Sequence, residues 1–383
     1  MKRSLRTLDL VNNITMPSAD TMGQLPQHQT AIVAQGPGQM TIQKDAPVPA
    51  LAHDMVLVKT ATVAINPVDV KSLDYSPAPG AIIGFDFAGT VVALGTDAAK
   101  EGRLAVGDRV AGVVYGMDRL QPDVGAFAQY VGALADLVLK LPDHISLEDA
   151  AALGLATATA AYGLFKEMEL PGALDRLSGP VSDRGDFVLV AGGSTATGTR
   201  AIELLKTAGF RPVATSSPSN FELVKKFGAE AVFDYHDPGC ADAIRAYTNN
   251  ELDYALDCIA EAETTQLCYA AIGRAGGRYV AVEPFRESIA QSRINTVKAS
   301  WFNVMTVWGR KVELGGEYAR EASLEDREFG ARSFAAVQTL LDRGFVTTHP
   351  VKLMSGGWEG VVDGVAKIRS QPPSGYKLVC QVA

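Results

Sequence analysis

From Phe187 to Gly198 the chain reads FVLVAGGSTATG, an apolar strand that breaks into small, hydroxyl-bearing residues and then opens a helix. No other stretch limits the fold so strongly. A strand–turn–helix without bulk at the bend leaves backbone N–H groups and the positive end of a helix dipole facing outward. That arrangement suits a pyrophosphate. A dinucleotide fingerprint aligned here would read G-x-x-G-x-x-G; Gly192 and Gly198 hold the outer positions and Thr195 the middle. Glycines alone fit an ordinary α/β crossover equally well, so the flanking residues must decide.

They decide for a nucleotide. Ala201, Ile202, Leu205 and Ala208 recur at helical spacing, giving residues 197–208 one face to pack on a sheet. Arg211–Thr215 then reads as a second strand. A site for NAD expects an acid at the end of that strand, holding the ribose hydroxyls. Here the strand runs into Thr215-Ser216-Ser217-Pro218-Ser219-Asn220, with Lys225 and Lys226 downstream. Hydroxyl and amide donors without an acid favour a 2′-phosphate, and so NADPH over NADH.

Short β-type segments fill the first part of the chain: Thr30–Ala34, Met55–Ala64, Ala88–Leu94, Val110–Val114 and Ala126–Val131, separated by Gly, Pro and Asp turns. From Leu147 the pattern becomes an alanine-rich helix, with AAALGLATATAAYGLF at 150–165. A polar stretch, Leu174–Asp186, reads as an exposed loop before the FVLVA strand. Further strands are expected at Ala231–Tyr235, Tyr254–Ile259 and Tyr279–Val282, with a helix at Thr264–Ile272. That alternation predicts a parallel, doubly wound sheet with its ligand at the carboxyl edge. Phe329–Leu341 and Trp358–Ile368 read as helices. Lys377–Val382 reads as a closing strand that returns to the β body.

At 383 residues the chain is long enough for two cores. A net charge of −8 argues against a nucleic-acid groove or an anionic membrane surface, and no apolar run is long enough to span a bilayer. Cys240, Cys258, Cys268 and Cys380 form no C-x-x-C pair and stand at no ligand spacing from a histidine. No metal site or disulfide framework is expected, and reduced thiols point to the cytoplasm. Lys2, Arg3 and Arg6 beside leucines hint at a transit peptide, but Asp9 and Asp20 break that pattern, and residues 1–27 are expected to be a disordered extension.

The order of motifs resembles the medium-chain dehydrogenase/reductase superfamily: AINPVD at 64–69, GFDFAGTVVALG at 84–95, VGDRV at 106–110, GAFAQY at 125–130 and SGYKLV at 374–379. Within it, GGSTATGT, SPSN, FDY, YALDCI and IGRAGGRYV resemble the trans-acting enoyl reductases of fungal highly reducing polyketide synthases, of the lovastatin enoyl reductase type. The resemblance covers residues 28–383. It implies a mostly-β GroES-like catalytic domain (28–165 with 311–383) and a doubly wound, parallel-sheet Rossmann domain (166–310). Zinc-dependent members carry a catalytic Cys and a G-H-E-type motif, where this chain has Gly84-Phe85-Asp86, and four clustered structural cysteines that are missing here.

The resemblance also assigns residues. Val68, Asp69, Val70 and Lys71 would meet the nicotinamide end of NADPH, with Asp69 bracing the loop. Lys71 is the candidate catalytic residue, as proton donor or as the group polarising a thioester carbonyl; a solvated lysine is the alternative. Ser194, Thr195, Ala196 and Thr197 would hold the pyrophosphate. Ser217, Pro218, Ser219, Asn220 and Tyr235 would surround the adenosine 2′-phosphate. Val282 and Glu283 would lie near the nicotinamide, as would Ser374 and Gly375, and Glu283 stands where an amide is expected.

Leu153, Gly154, Leu155, Ala156, Thr157, Ala158, Thr159 and Ala160, with Phe302, Asn303, Val304, Met305 and Thr306, would line the acyl pocket, or the alanine-rich helix would serve packing alone. The implied partner is the acyl carrier protein domain of a highly reducing polyketide synthase or a synthase–peptide synthetase hybrid, bearing a polyketide enoyl thioester. A monomer is expected. The competing readings are a stand-alone quinone or enone reductase and a non-catalytic scaffold.

Overall fold

A computed structural model describes residues 25–171 and 185–383. Residues 1–24 of the expected extension, and 174–184 of the polar stretch, lie outside the described residues.

The chain opens with an antiparallel hairpin, β1 (His28–Gly36) and β2 (Gln39–Pro47), seated through Ala31, Val33 and Ala46 on Ile82 and Ala128. Five strands follow: β3 (Met55–Ala64), β4 (Asp86–Leu94), β5 (Arg109–Val113), β6 (Tyr130–Leu134) and β7 (Val138–Lys140). They pair antiparallel, β3 with β4 and β6, β4 with β5, and β5 with β7.

The second sheet is wholly parallel: β8 (Phe187–Ala191), β9 (Arg211–Ser216), β10 (Ala231–Asp234), β11 (Tyr254–Asp257), β12 (Gly277–Ala281) and β13 (Val297–Trp301), in spatial order β10-β9-β8-β11-β12-β13. The order reverses beside β8, which puts the ligand crevice at the carboxyl ends of β8 and its neighbours. Every residue of β8 is buried, as helices on both faces of a parallel sheet require. The chain then returns to the first sheet. β14 (Val351–Met354) pairs parallel with β15 (Lys377–Gln381), and β15 pairs antiparallel with β3, the return expected for 377–382.

Two expectations are corrected. The strand placed at Ala126–Val131 begins only at Tyr130. Upstream, Ala126 and Phe127 donate to the carbonyls of Gly84 and Ile83 and Gln129 to that of Thr30, so this stretch bonds a loop and the hairpin and meets the sheet only where the Gln129 carbonyl accepts the Thr60 N–H. The single helix expected at 150–165 is three pieces: Leu147–Ala150, the α-helix Gly154–Ala161, and a π-helical turn Tyr162–Glu167. The middle piece starts at Gly154 because the backbone there rides on β5; a Cβ would stand 2.4 Å from the Gly112 carbonyl oxygen.

A buried polar knot joins these parts. Asp86, at the start of β4 and with no exposed surface, accepts the Leu155 N–H at 2.6 Å, the Asn66 side-chain amide at 3.1 Å and the Lys377 ammonium. Asn66 caps the helix Pro67–Tyr75, and its N–H donates to Asp69 Oδ2 at 2.6 Å. Asp69 is itself wholly buried, and its Oδ1 has no partner among the described residues. Burial pushes its carboxyl from the ordinary 3.8 up to about 8; the Asn66 N–H and Lys377 oppose the rise and the Asp86 carboxylate adds to it.

A second cluster ties the sheets together. Arg200 and Glu203, both buried on the helix Ala196–Thr207, form an ion pair. Arg200 donates to the Thr347 carbonyl at 2.8 Å, and Glu203 accepts the Thr347 N–H and hydroxyl at 3.1 and 2.6 Å. One turn away, Thr199 Oγ1 lies 3.0 Å from Nδ1 of buried His349. Burial, with Lys377 and Arg200 nearby, pulls His349 down to about 3, so it is neutral across the physiological range.

Two predictions follow from these clusters. Glu203→Ala leaves the Arg200 guanidinium buried and uncompensated, and the expected loss in urea unfolding is about 3 kcal/mol; a loss under 1 kcal/mol would show that water reaches the site. Asp69 favours its protonated form in the fold. Its contribution is fully present below the unfolded value near 3.8 and is lost as pH rises towards about 8. The unfolding midpoint of Asp69→Asn, measured against the unaltered protein, should therefore rise steadily from pH 4 to pH 8. A difference flat with pH would refute the assignment.

Candidate active site

At the carboxyl end of β8 the chain turns through Gly192, whose φ of +77° favours glycine. A Cβ on Gly198 would stand 2.3 Å from the Gly192 carbonyl oxygen, and one on Gly193 would stand 2.7 Å from Ala214 Cβ. Thr195 is the N-cap of the following helix. Its hydroxyl accepts from the Gly198 N–H at 2.9 Å and donates to the Gly192 carbonyl at 2.9 Å. The threonine at the centre of the fingerprint thus closes the turn that glycine leaves open.

The first intrahelical bond runs from Thr199 N to Thr195 O, so the Ala196 and Thr197 N–H groups face out of the helix N-terminus. Ser194 is buried in the turn, and Thr195, Ala196 and Thr197 are half-buried. A helix start with outward N–H groups and a glycine-lined floor fits the pyrophosphate of a dinucleotide.

The end of β9 sits beside that turn: Gly193 N and Gly192 N donate to the backbone oxygen and hydroxyl of Thr215. Ser216 is buried and donates to the Ser217 carbonyl, so the outward side chains begin at Ser217. Ser217 and Ser219 hydroxyls lie 3.4 Å apart. The Asn220 amide donates to Ser217 Oγ at 3.2 Å and to Ser374 Oγ at 2.8 Å. Pro218 is exposed and starts the short turn carrying Ser219. Gly375, with φ +76°, presses on the same amide; a Cβ there would stand 2.4 Å from Asn220 Oδ1. Ser374 and Gly375, expected near the nicotinamide, are thus held against the Ser217–Asn220 loop.

Tyr235 is 46% exposed, with its ring centroid 4.0 Å from that of His236. An acid that the residues after the second strand do not signal stands close by. Asp234 on β10 pairs in register with Ser216, and its Oδ1 accepts the His236 N–H at 3.0 Å and lies 2.8 Å from its Nδ1.

The helix Pro67–Tyr75 carries Lys71 towards the carboxyl end of β12. Lys71 Nζ lies 2.9 Å from Glu283 Oε1, and the Tyr318 hydroxyl donates to Glu283 Oε2 at 2.7 Å. Burial and the Glu283 carboxylate both raise the Tyr318 phenol, which stays protonated. Val68 and Val282 are half-buried against one core cluster, Val70 is buried, and Asp69 offers the cleft no exposed surface.

Leu153, Gly154, Leu155, Ala156, Thr157, Ala158 and Ala160 are buried and Thr159 is half-buried; Phe302 to Thr306 are buried too. The two segments meet around Tyr162, which the sequence reading missed. Its ring stacks on Phe302 with centroids 5.2 Å apart, and its hydroxyl donates to Asp326 at 3.0 Å. The signal available was an aromatic residue ending an alanine-rich run.

Two family models match: an alcohol dehydrogenase GroES-like domain over residues 52–143, and a zinc-binding dehydrogenase over residues 196–314. The residues present do not fit zinc. Among the described residues no group of three or more His, Cys, Asp or Glu is placed to hold a metal ion, the four cysteines are free thiols, and Asp86 is taken by its three donors.

The chain is 96% identical over 368 residues to the trans-enoyl reductase thnE of Trichoderma harzianum, covering 96% of this chain and all of that one. It is 64% identical over 370 residues to the trans-enoyl reductase caaB of Aspergillus niger, with the same coverage. In fold it is similar to the CurK enoyl reductase, with a TM-score of 0.71 at 19% identity over 92% of this chain and 99% of that one. A GroES-like sheet joined to a doubly wound nucleotide sheet, with relatives at this identity over nearly the whole length, places the chain in a family: it is a trans-enoyl reductase of the medium-chain dehydrogenase/reductase superfamily.

Proposed function

We propose that this protein is an NADPH-dependent, trans-acting enoyl reductase. Its substrate is the α,β-unsaturated thioester of a polyketide carried on the acyl carrier protein domain of a highly reducing synthase, which it meets as a cytoplasmic monomer. The observation that carries this reading is three features along the carboxyl edge of one parallel sheet. These are the capped turn at Thr195, the serine- and amide-bearing end of β9, and a lysine brought to the carboxyl end of β12. The names of the close relatives support the reaction and the trans-acting mode. No helix among the described residues is long and apolar enough to cross a membrane.

When bound, the nicotinamide supplies hydride to the β-carbon of the enoyl thioester. The chain's own residues handle charge and position. Ser194 to Thr197 would hold the pyrophosphate with backbone N–H groups, and Ser217, Ser219, Asn220 and Ser374 would hold the 2′-phosphate with neutral donors. The Lys71 ammonium would face the oxygen on which negative charge develops, or give its proton to the α-carbon. Asp69 holds the cap of the lysine's helix and takes no proton-transfer role.

NADPH should bind at least tenfold more tightly than NADH, measured by quenching of intrinsic fluorescence. Ser217→Asp should reverse that order, because a carboxylate close to a phosphate dianion is repelled by on the order of 4 kcal/mol per charge pair at 4 Å and intermediate dielectric. Equal affinities in the unaltered protein would give Asp234, beside Ser216, the ribose-binding role and overturn the NADPH assignment.

Lys71→Ala should cut turnover of an enoyl pantetheine thioester roughly a hundredfold, with NADPH affinity within a few-fold, since the lysine acts in the transition state. Turnover near that of the unaltered enzyme would make Lys71 a surface residue. Faster reduction of free quinones and enones than of the pantetheine thioester would replace the polyketide substrate by a small molecule.

A further inference from the structure

Glu283 stands where the family resemblance leads one to expect an amide, and nothing in the reaction described so far uses its charge. It lies two residues beyond β12, at the carboxyl edge where a doubly wound sheet receives its ligand. Both of its oxygens are engaged, and by parts of the chain distant from one another. Lys71 holds Oε1 from the helix Pro67–Tyr75 of the first sheet's unit, and Tyr318 holds Oε2 from a turn past β13.

Tyr318 is itself fixed. Its ring sits edge-on to Trp301 at 5.4 Å, its carbonyl accepts the Asn303 amide at 2.9 Å, and the Arg320 guanidinium lies 4.5 Å from the far partner, the Trp301 ring. Asn303 belongs to the 302–306 segment of the candidate acyl pocket. Tyr318 therefore joins two sets of bonds: its backbone carbonyl is held by the candidate pocket segment, and its phenol reaches Glu283 and through it Lys71.

An exposed lysine–carboxylate pair alone contributes little, because two long side chains must be ordered for one screened contact. This pair differs because its carboxylate is already oriented. Glu283 is only 24% exposed, so the half-exposed lysine docks on a fixed partner and reaches the cleft without searching its rotamers.

Resting on the enoyl-reductase reading above, we propose that Glu283 is the positioning residue for Lys71 and that Tyr318 is the positioning residue for Glu283. Where Lys71 polarises the thioester oxygen its N–H bonds stay intact; where it is the proton donor, one N–H bond breaks as the proton goes to the α-carbon of the enolate that hydride addition forms, leaving a neutral amine. The amine regains a proton from water, because the pair is open to solvent on the lysine side. Glu283 and Tyr318 neither gain nor lose a proton in the cycle. They keep the nitrogen where the α-carbon or thioester oxygen arrives.

A double-mutant cycle on the full-length protein tests this, with saturating NADPH and 2-hexenoyl pantetheine as the probe. Glu283→Gln should lower kcat about tenfold, with KM for the thioester, NADPH affinity and the unfolding midpoint little changed. In a Lys71→Met background the same Glu283→Gln change should have no further effect, since the group it positions is gone. Tyr318→Phe should lower kcat about threefold alone and not at all beside Glu283→Gln.

Losses that multiply across the cycle would show that Glu283 acts by another route and overturn the proposal. Glu283→Gln at full activity, with Lys71→Met slow, would remove this proposal and leave the catalytic lysine standing. Lys71→Met at full activity would remove both.

Discussion

The Asp86 carboxylate is the contact on which the geometry of the crevice depends. It is buried with no exposed surface and gathers three donors from separate parts of the chain: the start of the helix Gly154–Ala161, the cap residue Asn66 of the lysine helix, and Lys377 on the closing strand β15. A buried carboxylate is tolerated only when its charge is matched and its lone pairs are filled. Meeting that requirement fixes where all three elements stand. Gly154 beside it follows from the same crowding: it rides on the Gly112 carbonyl, so the helix start can bring the Leu155 N–H within reach.

The nucleotide sheet is attached to this body by polar contacts on several sides of the crevice. Arg200 and Glu203 grip Thr347, Thr199 meets neutral His349, Asn220 reaches Ser374, and Lys71 reaches Glu283. The first two are buried and tie the helix Ala196–Thr207, which Thr195 caps, to the segment that leads into β14. The last two are partly exposed and stand at the carboxyl ends of β9 and β12, at the serine- and amide-bearing loop and at the lysine.

Particular residues show how far a linear reading goes. Thr195 looked like a departure from the glycine fingerprint, yet its hydroxyl caps the helix and closes the turn, a role that local chemistry alone makes available. Lys71 was legible only through the motif around it, because an exposed lysine carries no local signal; its partner lies 212 residues away. Tyr162, Tyr318 and the Asp86 knot escaped because their meaning is in contacts between distant segments. Composition presents the alanine-rich run at 150–165 as one helix, because it does not reveal the backbone contact that starts its middle piece at Gly154.

The sequence by itself determined the class of architecture, the position of the glycine-flanked turn after β8, the acid-free end of the second strand and the return of the last strand to the β body. Each is written in residues close together in the chain, where period, turn chemistry and capping act. Tertiary structure alone decided that Asp69 is buried with its carboxyl pushed up to about 8, that Ser374 and Gly375 rest on Asn220, that Asp234 stands beside Ser216, and that Glu283 joins Lys71 to Tyr318. Burial and charge pairing are properties of space, and no spacing along the chain encodes the distance between side chains that the fold brings together.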